Sequence, residues 1–250
     1  MKKVMSAVLI ALFPALLFAA DVAKKSEGPE KGTVSNYRVW VKEGHEDAFK
    51  AAVAAHAAKY HTGLWKWRVY EVLTGPDGGA YMFVEGPNSW TDLEGRGDLG
   101  AEHTKDYTTS IAPHVEKSTS DSYGTYEESA STVAGGAFST TKVLIRHMYI
   151  KPGRATQALA SLATWKKIWA KSGLNVAVWR SFFSGELQFT IVDRLKKGFA
   201  DLDDDSVNFR KTGDELLGPG GYDQLLEQNS HNVTRTLDEI VEFRPELSSK

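Results

Sequence analysis

The chain contains no cysteine. That one absence excludes disulfides, thiolate metal ligands, a cysteine nucleophile and a lipid-acceptor cysteine, and leaves the hydrophobic core to hold the fold. A basic surplus is missing too. Lys and Arg number 30 against 32 Asp and Glu, for a formal net charge of -2, so nothing in the charge balance points to nucleic acid or an anionic membrane. No Gly-x-Ser-x-Gly elbow occurs. The glycines of Gly95–Gly100 follow a helix start rather than a strand, so they read as a loop and not as a dinucleotide site. The acidic run Asp201–Ser206 lacks the glycine and distal glutamate of a calcium loop, and reads as a solvated helix end.

What is present begins with a leader pattern. Lys2 and Lys3 precede an apolar run from Val4, and the run ends in the small residues Ala19 and Ala20 before polar sequence resumes. This is the order of a secretory signal peptide, and Pro14 interrupts the run as a membrane span. Residues 1–20 are therefore expected to be removed and 21–33 to form a disordered linker, with no stable membrane span left afterwards. An exported chain without cysteine suits a bacterial periplasmic or secreted location.

The body of the chain repeats itself. "VKEGHEDAF" from Val41 parallels "IKPGRATQA" from Ile150, "WRVYEVLTG" from Trp67 parallels "WRSFFSG" from Trp179, and "SWTDLE" from Ser89 parallels "GFADLD" from Gly198. Three blocks in one order indicate an internal duplication. The offsets open for the two tryptophans differ by an even number, so Trp67 and Trp179 are expected on the same side of their strands.

Each copy reads as strand, helix, two strands, a second helical region and a last strand. "NYRVWV" and "KVLIRHMYI" carry the β-branched and aromatic residues of strands. Phe49, Val53, His56 and Tyr60 in the first helix, and Ala158, Leu162, Trp165 and Trp169 in the second, recur at helical spacing. Gly63 and Gly173 are expected as left-handed caps. The second helical region of the first copy is expected to run through "YTTSIAPHVEK". Large apolar residues occupy both faces of "LWKWRVYEVL", so both faces need cover. The predicted class is α+β: two tandem ferredoxin-like βαββαβ units, 34–128 and 141–246, joined by a linker at 129–140, whose antiparallel four-stranded sheets pack face to face as an intrachain α/β barrel.

Those blocks resemble the dimeric α/β-barrel superfamily, including its antibiotic-biosynthesis-monooxygenase-like members. The resemblance implies a monomeric pseudo-dimer or a homodimer holding a small molecule between sheet and helices. It also implies a menu of activities that includes cofactor-free oxygenases and haem proteins. Fold does not select among them.

Candidate site residues come from the strands and the first helices. His56 sits in an apolar stripe where the second copy has Trp165, and serves either as a hydrogen-bonded core histidine or as a pocket acid, base or axial ligand. His147 lies in a strand, parallel to Arg38. Arg68 and Arg180, inside strands, require an ion pair, with Glu71 or Asp193 at hand, or a wet pocket in which they clamp a ligand. Tyr60, Trp67 and Trp179 supply aromatic walls. The seven histidines make no H-x-H or H-x-x-x-H pair, and His56 and His61 on one continuous helix stand about 140 degrees out of register. No metal site is expected. Three readings stay open. The first is a binding protein for a small, partly apolar molecule, without chemistry or cofactor. The second is a cofactor-independent monooxygenase on a phenolic or quinol-like substrate, with His56 or His147 as base. The third is a haem protein.

Overall fold

A computed structural model of the chain describes residues 32–133, 140–181, 183, 185–203 and 207–250. The expected signal peptide at 1–20, nearly all of the expected 21–33 linker, residues 134–139 and the end of the acidic run lie outside the described residues. No described helix is long and apolar enough to cross a membrane.

The strands are β1 (Thr33–Val41), β2 (Trp67–Val72), β3 (Tyr81–Asn88), β4 (Val115–Ser118), β5 (Ser122–Tyr126), β6 (Lys142–Ile150), β7 (Val176–Ser181), β8 (Gln188–Leu195) and β9 (Val233–Phe243). The helices are α1 (Glu46–Tyr60), α2 (Trp90–Arg96), α3 (Ala101–Asp106), α4 (Ala155–Lys171), α5 (Phe209–Leu217) and α6 (Gly221–Asn232). Every strand pairing is antiparallel, and the order β3-β2-β9-β6-β8-β7-β5-β1 closes on itself because β1 also pairs with β3. The result is an antiparallel β-barrel with helices on its outside.

The joints between the halves are backbone ladders. Tyr70 and Val72 of β2 stand opposite Phe243 and Val241 of β9, and Thr125 and Tyr126 of β5 stand opposite Arg180 and Trp179 of β7. Two facing sheets were expected. They do face each other across a lumen, but their edges are hydrogen-bonded together, which satisfies the edge amides and carbonyls that open sheets would expose.

Three apolar layers follow. Tyr70, Val72, Met82, Val143, Ile145 and Val241 fill the lumen. Phe49 and Val53 of α1 pack on Trp67, Val69 and Phe83 outside the first half, and Leu162 and Trp169 of α4 pack on Val176 and Val178 outside the second. Trp67 therefore faces helices while Trp179 lines the lumen. This corrects the expected common face: β2 begins at Trp67 and β7 at Val176, so the structural counterpart of Trp179 is Tyr70. Side-chain alternation turns that odd, three-residue change of register into a change of face.

A second correction concerns "HVEK". Pro113 cannot continue a helix, and Val115–Ser118 forms β4 alongside the last part of β1. Gly173 takes the left-handed cap of α4 (φ 72°), whereas Gly63 lies beyond the end of α1, which stops at Tyr60.

Within the lumen Arg38 and His147, at matching places on β1 and β6, converge on Glu239 of β9, which is fully buried. Arg38 donates to both Glu239 carboxylate oxygens at 2.8 and 2.5 Å, and His147 Nε2 lies 2.8 Å from the second. Arg38 also donates to Asp77 in the β2–β3 turn at 2.7 Å. That turn needs Gly75, whose φ is +90° and where a Cβ would stand 3.2 Å from Glu239 Cβ. Burial raises the Glu239 pKa, but hydrogen bonds from His147 and Arg38 outweigh it and hold the carboxyl below its usual range. The charged form is thus the folded form. Its contribution is complete above the unfolded carboxylate range and is lost as pH falls toward the depressed folded value. Glu239→Gln should cost about 3–5 kcal/mol in urea unfolding at neutral pH because it leaves a buried guanidinium short of its partner. Asp238→Asn, which breaks the exposed pair with Arg146, should cost less than about 1 kcal/mol. Equal costs would contradict this account of the lumen.

Candidate functional site

The candidate site lies outside the barrel, where α1 and α3 cross the first half of the sheet. The stripe expected on α1 is real: Phe49, Val53 and His56 are buried. His56 is 1% exposed, and its Nδ1 lies 2.7 Å from Asp106 at the end of α3. Trp67 and Tyr60 stand beside it, with ring centroids at 5.3 and 4.9 Å. Tyr60 donates to the Glu102 carbonyl at 3.1 Å. The sequence candidates His56, Tyr60 and Trp67 therefore come together. The others do not join them. Arg38 and His147 are in the lumen on Glu239, and Trp179 lines the lumen. Arg68 donates to the Gly86 carbonyl, and Arg180 pairs with Glu127 at 2.5 Å rather than with Glu71 or Asp193. Glu71 is bound by Arg244.

Two histidines complete the cluster. His61 is the first residue past α1; its φ of -96° and ψ of 72° leave the helix, and its ring stacks on Trp67 at 3.5 Å. Helical register therefore does not separate His61 from His56, because α1 ends at Tyr60. His103 arrives from α3, with its ring 4.8 Å from that of His56 and 5.3 Å from that of His61. One ring nitrogen from each histidine lies within 4.8 Å of the other two. His61 Nε2 and His103 Nε2 are 3.3 Å apart. On its far side His61 Nδ1 meets the Trp65 carbonyl at 3.0 Å and Glu85 at 3.3 Å. Glu85 is in turn held by Arg96, which donates at 2.7 and 3.1 Å. Burial lowers the pKa of all three histidines, and for His56 and His61 it outweighs the neighbouring carboxylates. Burial raises Glu85, yet His61 and Arg96 bring it below its usual range.

Beside the cluster a cavity of about 530 Å³ opens, walled by Tyr37, Trp67, Phe83, Tyr107 and Tyr123, with His103 on its edge. Tyr107 begins a π-helical turn that continues α3; such turns displace a side chain from regular helical register. A second cavity of about 630 Å³ lies between the other half of the sheet and α4 to α6, walled by Trp165, Trp169, Phe209 and Tyr222. Asp193 faces it, and burial followed by the nearby Asp201 pushes its pKa up to about 6. The lumen holds a third space of about 100 Å³ beside Arg38 and His147.

No protein-family profile and no curated protein sequence matches the chain. Solved structures do. An anthrone oxidase-like protein superposes with a TM-score of 0.55 at 12% identity, covering 86% of this chain and 92% of its own. A chlorite dismutase variant from Candidatus Nitrospira defluvii gives 0.54 at 9%, covering 87% and 93%. A provisionally assigned monooxygenase from Lactobacillus acidophilus gives 0.52 at 10%, covering 88% and 96%. What these structures share with the chain is the fold, an antiparallel β-barrel with helices on its outside. At these identities the likeness is one of architecture, and function rests on the site.

Haem would need an axial ligand and room for the macrocycle, and of the three spaces the first, with about 530 Å³ and His103 on its wall, is the one that has a histidine beside a larger volume. His147 stands at a space of about 100 Å³ and is engaged by Glu239. The second-half cavity has no histidine among its described lining residues. In the first, His103 Nε2 faces His61 Nε2.

The depressed histidines set an acid limit. Because the unfolded chain takes up protons first, near the ordinary histidine pKa of about 6.5, stability is complete above that pH and falls as pH drops toward the folded values. Asp193, with its raised value, works in the opposite direction. Proton NMR should show His56, His61 and His103 titrating below about 6.5, and Asp193→Asn should steepen the loss of urea resistance between neutral pH and about 5. Midpoints at or above the ordinary value would contradict the assigned burial.

Proposed function

We propose that the protein is an exported, tandem ferredoxin-like α/β-barrel that binds a small, partly apolar ring compound in the cavity beside His103. The observation that carries this reading is the make-up of that wall. Tyr37, Trp67, Phe83, Tyr107 and Tyr123 offer flat apolar faces, while Arg96, Glu85 and Asp121 offer hydrogen bonds at the same cavity. Five aromatic rings set among charged groups and the hydroxyls of Ser118, Thr119 and Ser120 give the cavity both faces to stack on and hydrogen bonds to orient a ligand. The leader at residues 1–20 supports export, and the repeated blocks support duplication.

An oxygenase reading needs a base that touches the ligand. His56 does not line the cavity and His147 is inside the lumen, so that role moves to His103, with the His56–Asp106 pair behind it. The anthrone oxidase-like and monooxygenase names of structural neighbours agree with such chemistry in those proteins.

Titration with anthrone-like phenols and quinols should quench the fluorescence of Trp67, and Tyr107→Ala should weaken binding about 2- to 10-fold, the worth of one aromatic contact. Trp165→Phe, in the other half, should leave binding unchanged. Quenching lost in the Trp165 variant alone would move the site to the second cavity. If oxygen is consumed with these ligands, His103→Ala should abolish the uptake.

A further inference from the structure

We propose that His56, His61 and His103 form a three-histidine binding site for a divalent transition-metal ion of the zinc class. This extends the cavity reading by assigning an ion to its inner end, and does not depend on which organic ligand occupies the cavity. The distances come first. Two imidazole nitrogens bound to one tetrahedral ion at about 2.0 Å stand about 3.3 Å apart, and His61 Nε2 and His103 Nε2 are separated by 3.3 Å. The third nitrogen lies within 4.8 Å of both, so a small rotation of the His56 ring completes the set.

The far sides of the rings supply the second argument. His56 gives Nδ1 to the Asp106 carboxylate, which leaves Nε2 as its free nitrogen, and that atom is buried without a hydrogen-bond partner. A buried imidazole nitrogen lacking a partner is costly unless something occupies it. His61 gives Nδ1 to the Trp65 carbonyl and to Glu85, which again leaves Nε2 for the cluster. A carboxylate or carbonyl thus stands behind two of the three rings, where it fixes the tautomer and raises basicity, as recurs at protein metal centres.

The donor chemistry narrows the ion. Three neutral imidazoles with no thiolate suit Zn²⁺, Co²⁺, Ni²⁺ or Cu²⁺ and do not suit Mg²⁺ or Ca²⁺. The cavity reaches His103, so a fourth ligand can enter from solvent or from a bound ring compound. An ion here occupies the Nε2 lone pair that a proton-abstracting His103 would need. The two roles of His103 are therefore mutually exclusive.

The test is calorimetric titration of chelator-treated full chain with Zn²⁺ alone, repeated with Co²⁺ and its visible spectrum. One equivalent should bind, with the strong d–d absorption of tetrahedral Co²⁺, and affinity should fall as pH drops because protons compete for the three rings. His103→Ala, at a half-exposed position on α3, should remove binding. Asp106→Asn should weaken it about 10- to 100-fold while leaving the ligands in place. His45→Ala, which breaks the separate contact between His45 and His114, should change nothing. Absence of stoichiometric binding, or binding that survives His103→Ala or is lost in His45→Ala, overturns the proposal. Failure of ring compounds to bind while Zn²⁺ still binds would refute the cavity reading and spare this one.

Discussion

Closure of the sheet edges is the constraint on which the rest of this structure depends. Were β2 not paired to β9 and β5 not paired to β7, each half would present two unpaired edges and a bare apolar face to water. Closure removes both problems and divides every strand into a lumen face and a helix face. All of the chemistry follows from that division. Residues turned inward, such as Arg38, His147 and Glu239, converge on one another and form a buried ionic cluster. Residues turned outward, such as Trp67 and Glu85, become the floor on which α1 and α3 set their histidines.

The two halves of the barrel serve different ends. Over the first half, the place of Trp165 is taken by His56, and the neighbouring space is polar enough for a cluster of imidazoles and carboxylates. Over the second half, Trp165 stacks on Trp169 and meets Tyr222 edge-on, which leaves an aromatic cavity with one carboxyl, Asp193. Inside the lumen, the matching positions of β1 and β6 hold Arg38 and His147. Glu239 accepts from both, so a single carboxylate ties the halves together through side chains as the ladders do through backbone.

Much of this was legible in the sequence. Strand β6 declared itself by its β-branched and aromatic run, and α1 and α4 by their helical stripes. What escaped depended on where elements stop. The stop of α1 at Tyr60 turns His61 back toward Trp67, and no periodicity announces that turn; once it is allowed, helical register no longer separates His61 from His56. His103 and Asp106 come from a short helix some forty residues onward, so only tertiary contact identifies them. The face of Trp179 was misread because similar words were aligned by their tryptophans rather than by where the strands begin. Glu239, in a strand otherwise read as closing the second copy, gave no local sign that it would accept from Arg38 on the first strand of the other half.

The most direct measurement is an anomalous difference map, collected at the zinc edge, from crystals of the protein loaded with Zn²⁺. The account predicts one strong peak bounded by the Nε2 atoms of His56, His61 and His103, with Asp106 and Glu85 behind two of the rings. Anomalous density elsewhere on the chain, or an ordered water bridging three unmetallated imidazoles in its place, would contradict it.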